Sequence, residues 1–217
     1  MFLQTILMKI EAIEQTRSPL GKLRLRFSDR SHILVYPTVI GELGLYAGKE
    51  LTEDEVAKLL DTAAQASARE RALRIIAASS VTERELQHRL VSRGEAPAHA
   101  REAVDRLKEL RLLDDSETAR QIVRSGIAKG YGEGRLKQLL YEKRVPKELW
   151  QQALQELPDP MEQIQVFLHK RFRTAPTDPR ERKRAADALL RRGFGWNDIR
   201  RAMERYGSSE EFGEYEE

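Results

Sequence analysis

Cysteine is absent from the 217-residue chain. That excludes a disulfide framework, an iron–sulfur cluster, a thiolate zinc site and a thiol nucleophile, and it fits a reducing compartment. Aromatics make up only 6% of the residues and hydrophobics only 40%, so each core must be thin and wrapped in charge. Long apolar runs are missing too. The N-terminal one is broken by Gln4, Lys9 and Glu11, too soon for a signal-peptide core or a membrane helix. A soluble cytoplasmic protein that does not enter the membrane is expected. Catalytic sets are also lacking. The four histidines, His32, His88, His99 and His169, lie in separate segments without an HExxH pattern or a carboxylate at ligand spacing. His88 and His99 are expected on the solvated surface. Neither a GxSxG elbow nor a GxxxxGKS/T loop occurs. No metal, no cofactor and no enzymatic activity are expected.

Charge is what the chain has in quantity, at 34% of residues. The net value of +3 conceals an uneven distribution. Residues 1–60 and 61–115 are each neutral, 116–157 carry +3, and 158–207 carry +5. The final ten residues, SSEEFGEYEE, hold five glutamates and no base. A basic half next to an acidic tail points to a polyanionic partner and a separate appendage. Arginine outnumbers lysine 27 to 11, and its planar fork suits phosphate and carboxylate. The plainer reading is a set of solvated helix faces.

Alternation places strands in the first 37 residues or so. Ile10–Ile13, Lys22–Phe27 and Ile33–Tyr36 are separated by Arg17–Gly21 and Ser28–Ser31, both turn-rich. A three-stranded antiparallel meander leaning on a helix is expected. After Pro37 the pattern reads as helical throughout. Thr52-Glu53-Asp54-Glu55 and Thr82-Glu83-Arg84-Glu85 are capping boxes, and Asp178-Pro179 opens a helix with proline at its first position. Val56, Leu59 and Leu60 form the apolar set of the first helix.

The helical body repeats. Residues 85–107 superpose on 135–157 at an offset of 50, and again on 184–206 at an offset of 99. Leu86, Leu90, Val104 and Leu107 fall on Leu136, Leu140, Leu154 and Leu157. In the third copy Leu189, Met203 and Tyr206 take the last three places. Each copy is helix, basic two-residue corner, helix. Each follows a further amphipathic helix: 68–79 with Leu73 and Ile76, 116–128 with Ile122, Val123 and Ile127, or 161–173 with Ile164, Phe167, Leu168 and Phe172. A shared corner at this period signals a tandem array. The expectation is a mainly α protein, three three-helix repeats in a curved body behind a small antiparallel β head. Its parts are 1–60, 61–115, 116–157, 158–207 and a disordered tail 208–217.

Two features invite chemistry. Lys129-Gly130-Tyr131-Gly132-Glu133-Gly134-Arg135 resembles a phosphate-cradling loop but lacks the strand before it and the Lys-Ser/Thr after it. It reads either as a helix connection or as a basic-aromatic tip. Asp114-Asp115 could draw a cation and more simply caps the next helix. The basic clusters say more. Lys129, Arg135, Lys137, Lys143 and Arg144 in the second repeat are the candidate contacts to a partner or DNA, with Arg182, Arg184, Arg191, Arg192, Arg200 and Arg201 in the third. They would grip phosphates or an acidic protein face without reading bases. Basic residues at helix C-termini also complement the macrodipole, so the corner pairs have a second explanation.

Residues 81–115, VTERELQHRLVSRGEAPAHAREAVDRLKELRLLDD, resemble the RecX family, the bacterial regulators of RecA recombinase. The carriers are a capped helix, an Arg-Gly corner, a second helix and Leu-Leu-Asp-Asp. Residues 114–146 resemble the family's next repeat. The likeness is weakest in 158–207, and the head resembles a β-containing extension of some members. Thr118, Lys143-Arg144-Val145 and Glu95-Ala96-Pro97 depart from the pattern, where an aromatic, a Lys-Gly-hydrophobic corner and an apolar residue are usual. The resemblance implies a non-enzymatic modulator, expected to be a monomer, in the groove of the RecA–DNA filament. There it would impede filament growth, strand exchange, ATP turnover and coprotease action in homologous recombination, DNA repair and the SOS response. Weak, sequence-independent binding to single- and double-stranded DNA would accompany it. A stand-alone DNA-binding helical module is the alternative. Whether such a protein inhibits or stabilises filaments, and whether Met1 or Met8 begins the native chain, stay open at this level.

Overall fold

A computed structural model describes residues 7–17, 21–172, 176 and 178–211, with side chains in the last helix through Tyr206. It is mainly helical with a small sheet at the N-terminus. The chain divides into two compact units between Leu113 and Asp114.

The first unit opens with strands β1 (Met8–Gln15), β2 (Leu23–Phe27) and β3 (His32–Val35). Their alternation turns Ile10, Leu25, Phe27 and Val35 inward. A register shift between Ile10 and Ala12 puts a bulge in β1. The expected three-stranded meander followed by unbroken helix needs correction. After α1 (Pro37–Glu42) the chain returns as β4 (Glu50–Leu51), which pairs antiparallel with Met8 and Lys9. The sheet has four strands in the order β3-β2-β1-β4. A two-residue strand has no alternation to read, and only pairing with β1 defines it.

Helix α2 (Glu53–Ala78) is capped as expected: Thr52 Oγ1 accepts the Glu55 N–H at 3.3 Å, and the Glu55 carboxylate accepts the Thr52 N–H at 2.9 Å. It contains neither glycine nor proline, so nothing ends it where the sequence pattern predicts a fresh helix at 68. Its first half closes the sheet with Leu59, Val56 and Ala63. Its second half packs on α3 (Glu83–Ser92) and α4 (Pro97–Glu109) through Ala68, Ala72 and Ile75. Leu60 and Leu73, expected inside, are 53% and 39% exposed. Small alanines let neighbouring helices approach, and the burial stripe follows them rather than the leucines.

The second unit holds α5 (Asp115–Ala128), α6 (Glu133–Glu142) and α7 (Trp150–Ala153), then α8 (Pro160–Arg171), α9 (Pro179–Arg191) and α10 (Trp196–Glu211). Side-chain caps from Asp114, Asp159 and Asp178 start three of them. Asp114 accepts the Ser116 and Glu117 amides, so the Asp114-Asp115 pair serves the helix. The expected helix over the end of the second repeat is fragmentary, α7 lying between 3₁₀ turns at Lys147–Leu149 and Leu154–Glu156. Pro158 holds Leu157 extended, which stops the helix from continuing. The acidic segment 208–217 begins inside α10, which runs to Glu211, so its first residues are helical. Residues 212–217 lie outside the described residues, as does Met1.

The repeat equivalences are physical. Leu90, Leu140 and Leu189 are fully buried, and Ala103, Ala153 and Ala202 occupy matching buried positions in the closing helix of each copy. All three corners are built alike. Gly94, Arg144 and Gly193 stand at positive φ and donate to Val91, Tyr141 and Leu190 carbonyls. The next N–H, of Glu95, Val145 or Phe194, reaches back to Leu90, Leu140 or Leu189. This is the Schellman arrangement, in which an apolar residue after the turn usually covers the helix end. Val145 and Phe194 do so, being buried. Glu95 is the exception: its buried carboxylate takes Arg71 Nε at 2.6 Å and the Ser67 hydroxyl at 3.2 Å.

Candidate nucleic-acid and protein interface

The glycine-rich segment after α5 has a structural occupation. Gly130 supplies the positive φ that ends α5. The Gly132 and Gly134 N–H groups at the start of α6 donate to the Arg192 and Gly193 carbonyls at the end of α9, at 2.8 and 3.0 Å. One helix N-terminus thus satisfies the orphan carbonyls of another. The approach is tight enough that a Cβ on Gly193 would collide with the Arg135 backbone nitrogen. These amides are the groups a phosphate cradle would need, and here they already have acceptors. The segment is a joint between two helical layers. A cleft of about 730 Å³ opens beside it, lined among others by Lys137, Gln163, Phe194 and Asp198.

Around this joint the structure gathers part of the expected basic set. Arg135 is half-buried, 6.0 Å from the Tyr131 ring and 3.4 Å from Glu142. Lys137 pairs with Glu133 at 2.5 Å. The Arg192 guanidinium lies over the Phe167 ring at 4.6 Å, and Arg201 pairs at 2.6 Å with Asp198 of the cleft wall. Arg192 is therefore engaged largely in packing, with a cation–π contact. Arg200 faces Glu204 at 4.0 Å. Lys143 caps α6, and the exposed Arg144 forms its corner. Lys129, Arg182, Arg184 and Arg191 are exposed, and none forms an ion pair among the described residues. Arg184 and Arg191 are seven residues apart on α9, two turns along one face. No described contact ties these last four to the cleft. Exposed aromatics accompany the charge: Tyr141 is 70% exposed between Lys137 and Arg144 in sequence, and Trp196 is 57% exposed one turn before Arg200.

Two features escape a reading of the sequence. His99, expected on the solvated surface, has a side chain only 16% exposed and binds Asp61 Oδ1 through Nε2 at 2.8 Å. Its partner lies 38 residues away, beyond any local spacing rule. The neutral charge count of residues 61–115 also conceals a local group of arginines at the end of α2 and α3. Among the described residues no three His, Asp or Glu side chains gather as a metal site, and no helix is long and apolar enough to cross a membrane.

Residues 114–154 match the family model of the second three-helix domain of RecX, and residues 159–203 that of the third. The regulatory protein RecX of Chromohalobacter salexigens is 34% identical over 140 residues, spanning 64% of this chain and 92% of that protein. Its counterpart in Clostridioides difficile is 24% identical over 208 residues, 94% of this chain and 98% of that one. A crystal structure of a regulatory protein RecX is similar at a TM-score of 0.62 and 23% identity, covering 91% of this chain and 100% of its own. The fold is shared at that level. The third copy, in which the sequence reading expects only a weak likeness, is matched by a family model over residues 159–203. Two matched domains and a relative at 34% identity spanned almost end to end lead to one conclusion: the chain belongs to the RecX family of regulatory proteins.

Proposed function

We propose that this protein is a cytoplasmic, monomeric, non-enzymatic regulator that binds the groove of the RecA–DNA filament and lowers RecA ATP turnover, strand exchange and coprotease activity. Family membership carries the reading, since its relatives are named regulatory proteins. The chemistry of the second unit supports it. Lys129, Arg182, Arg184 and Arg191 form no ion pair among the described residues, and arginine forks match carboxylate and phosphate alike. The proposed contacts are these four with Arg135, Lys137, Lys143, Arg144, Arg192, Arg200 and Arg201. A protein touching several RecA subunits at once gains from effective concentration, so each contact can be weak.

The experiment is co-sedimentation with cognate RecA assembled on single-stranded DNA, against DNA alone and RecA alone. Retention on the RecA–DNA filament at a salt concentration that strips the protein from bare DNA is expected. Equal retention on bare DNA would favour the second reading, a stand-alone DNA-binding module, for which an unpaired basic helix face suffices. Absence of retention on either would overturn both.

A further inference from the structure

Arg71, Arg74, Arg89 and Arg93 lie in the first unit, outside the proposed filament contacts, and line one cavity of about 200 Å³. Helix α2 contributes the first two, nearly one turn apart. Helix α3 contributes Arg89, and its corner contributes Arg93. Two of the four are held by carboxylates. Arg71 Nε donates to Glu95 at 2.6 Å, while Arg89 Nε donates to Glu85 at 2.7 Å and its Nη1 to Ser79 Oγ at 3.2 Å. Each guanidinium has five N–H groups, so one carboxylate does not exhaust it. Arg74 donates from Nε to the Glu70 carbonyl at 3.1 Å and from Nη2 to the Tyr36 hydroxyl at 3.3 Å, neither of them a charge. The exposed Arg93 forms no ion pair among the described residues.

Four guanidiniums therefore face two carboxylates. Helices α2 and α3 both end here, and each C-terminus adds the equivalent of about half a negative charge. The balance stays positive. Water takes about 30 Å³ per molecule in the liquid, so the cavity has room for a phosphoryl group and part of its hydration. Anchored arginines have fewer rotamers to lose on binding, which favours a planar fork over a flexible ammonium.

We propose that this cavity is a binding site for a phosphoryl oxyanion, supplied either as inorganic phosphate or as a phosphodiester of a nucleic-acid strand. The site is built from first-unit residues alone and stands whether or not the filament reading holds.

The test uses the full chain. Inorganic phosphate is titrated at constant ionic strength against chloride while the arginine Nε–H resonances are followed by NMR. In parallel, the affinity of a fluorescent single-stranded oligonucleotide is measured across salt for the wild type and for Arg74→Gln/Arg93→Gln. A saturable shift of the Arg71 and Arg89 resonances with phosphate, absent with chloride and abolished in the variant, supports the site with free phosphate as ligand. An oligonucleotide affinity at least threefold lower in the variant, with a salt slope shallower by about 0.7 for each phosphate no longer neutralised, supports it with a strand phosphate as ligand. The absence of both changes overturns it. Both substituted side chains are exposed. Arg93→Gln alone has no ion pair to break, so it serves if the double variant does not fold. RecA retention is read separately and does not depend on this outcome.

Discussion

Arg144 sits at φ 56, where the equivalent corners carry Gly94 at φ 91 and Gly193 at φ 87. A side chain in left-handed backbone costs roughly 1–2 kcal/mol, and the greater unfolded-state entropy of glycine offsets part of what its removal gains. Arg144→Gly should therefore stabilise the protein by about 0.5–1 kcal/mol, read as a higher urea midpoint at unchanged slope. If Arg144 is also a partner contact, the same variant binds the RecA–DNA filament less well, so stability and binding move in opposite directions. Glu117 offers a second residue-scale test. Arg124 at 2.5 Å and Arg120 at 3.0 Å hold its carboxyl below the usual glutamate range. A carboxyl with a lowered folded-state value contributes stability that is present above its unfolded value, about 4.3, and is lost as the pH falls through the folded one. The stability gap between wild type and Glu117→Gln should be open at neutral pH and closed in acid; a constant gap would show that the pairing is not its source.

Among the elements, the corners and the α6–α9 joint decide most. Gly94 and Gly193 share positive φ, but only Gly193 has a neighbour that blocks a Cβ; nothing lies within 4 Å of the place one would take on Gly94. Gly94→Ala should cost about 1–2 kcal/mol through backbone strain alone. Gly193→Ala should cost about 1–3 kcal/mol more from overpacking, with the loss visible in the midpoint of chemical denaturation. Equal costs would mean that the joint yields freely. The three corners are legible in the sequence because apolar spacing and a basic two-residue corner recur along the chain, as Arg93-Gly94, Lys143-Arg144 and Arg192-Gly193. The departure at Glu95 is legible there only as an anomaly; Arg71, its partner, is 24 residues away. Likewise β4 depends on Met8 and Lys9, and the glycine segment on the carbonyls of α9. Leu60 and Leu73 are misplaced by the pattern because helical spacing alone does not say which face the neighbouring helices cover. Long-range pairing is invisible to local pattern.

At the scale of the molecule, basic side chains separate into those with an internal partner and those without an ion pair among the described residues. Arg71, Arg89, Arg120, Arg124, Arg135, Arg192 and Arg201 are tied to carboxylates or a ring. Lys129, Arg182, Arg184 and Arg191 are exposed without an ion pair among the described residues. The basic clusters are legible in the sequence, but this division is not, because it depends on which carboxylate each side chain meets. The available group gives the regulatory reading its sharpest form, since reversing exposed charge alters encounter and affinity while leaving the core alone. The measurement that tests this most directly is DNA-dependent ATP hydrolysis by cognate RecA, with wild-type protein and with Arg182→Glu/Arg184→Glu at equal concentration. Turnover should fall at substoichiometric wild-type protein, and the variant should need at least tenfold more for the same effect. Turnover unaltered by wild-type protein at saturating binding would contradict the account.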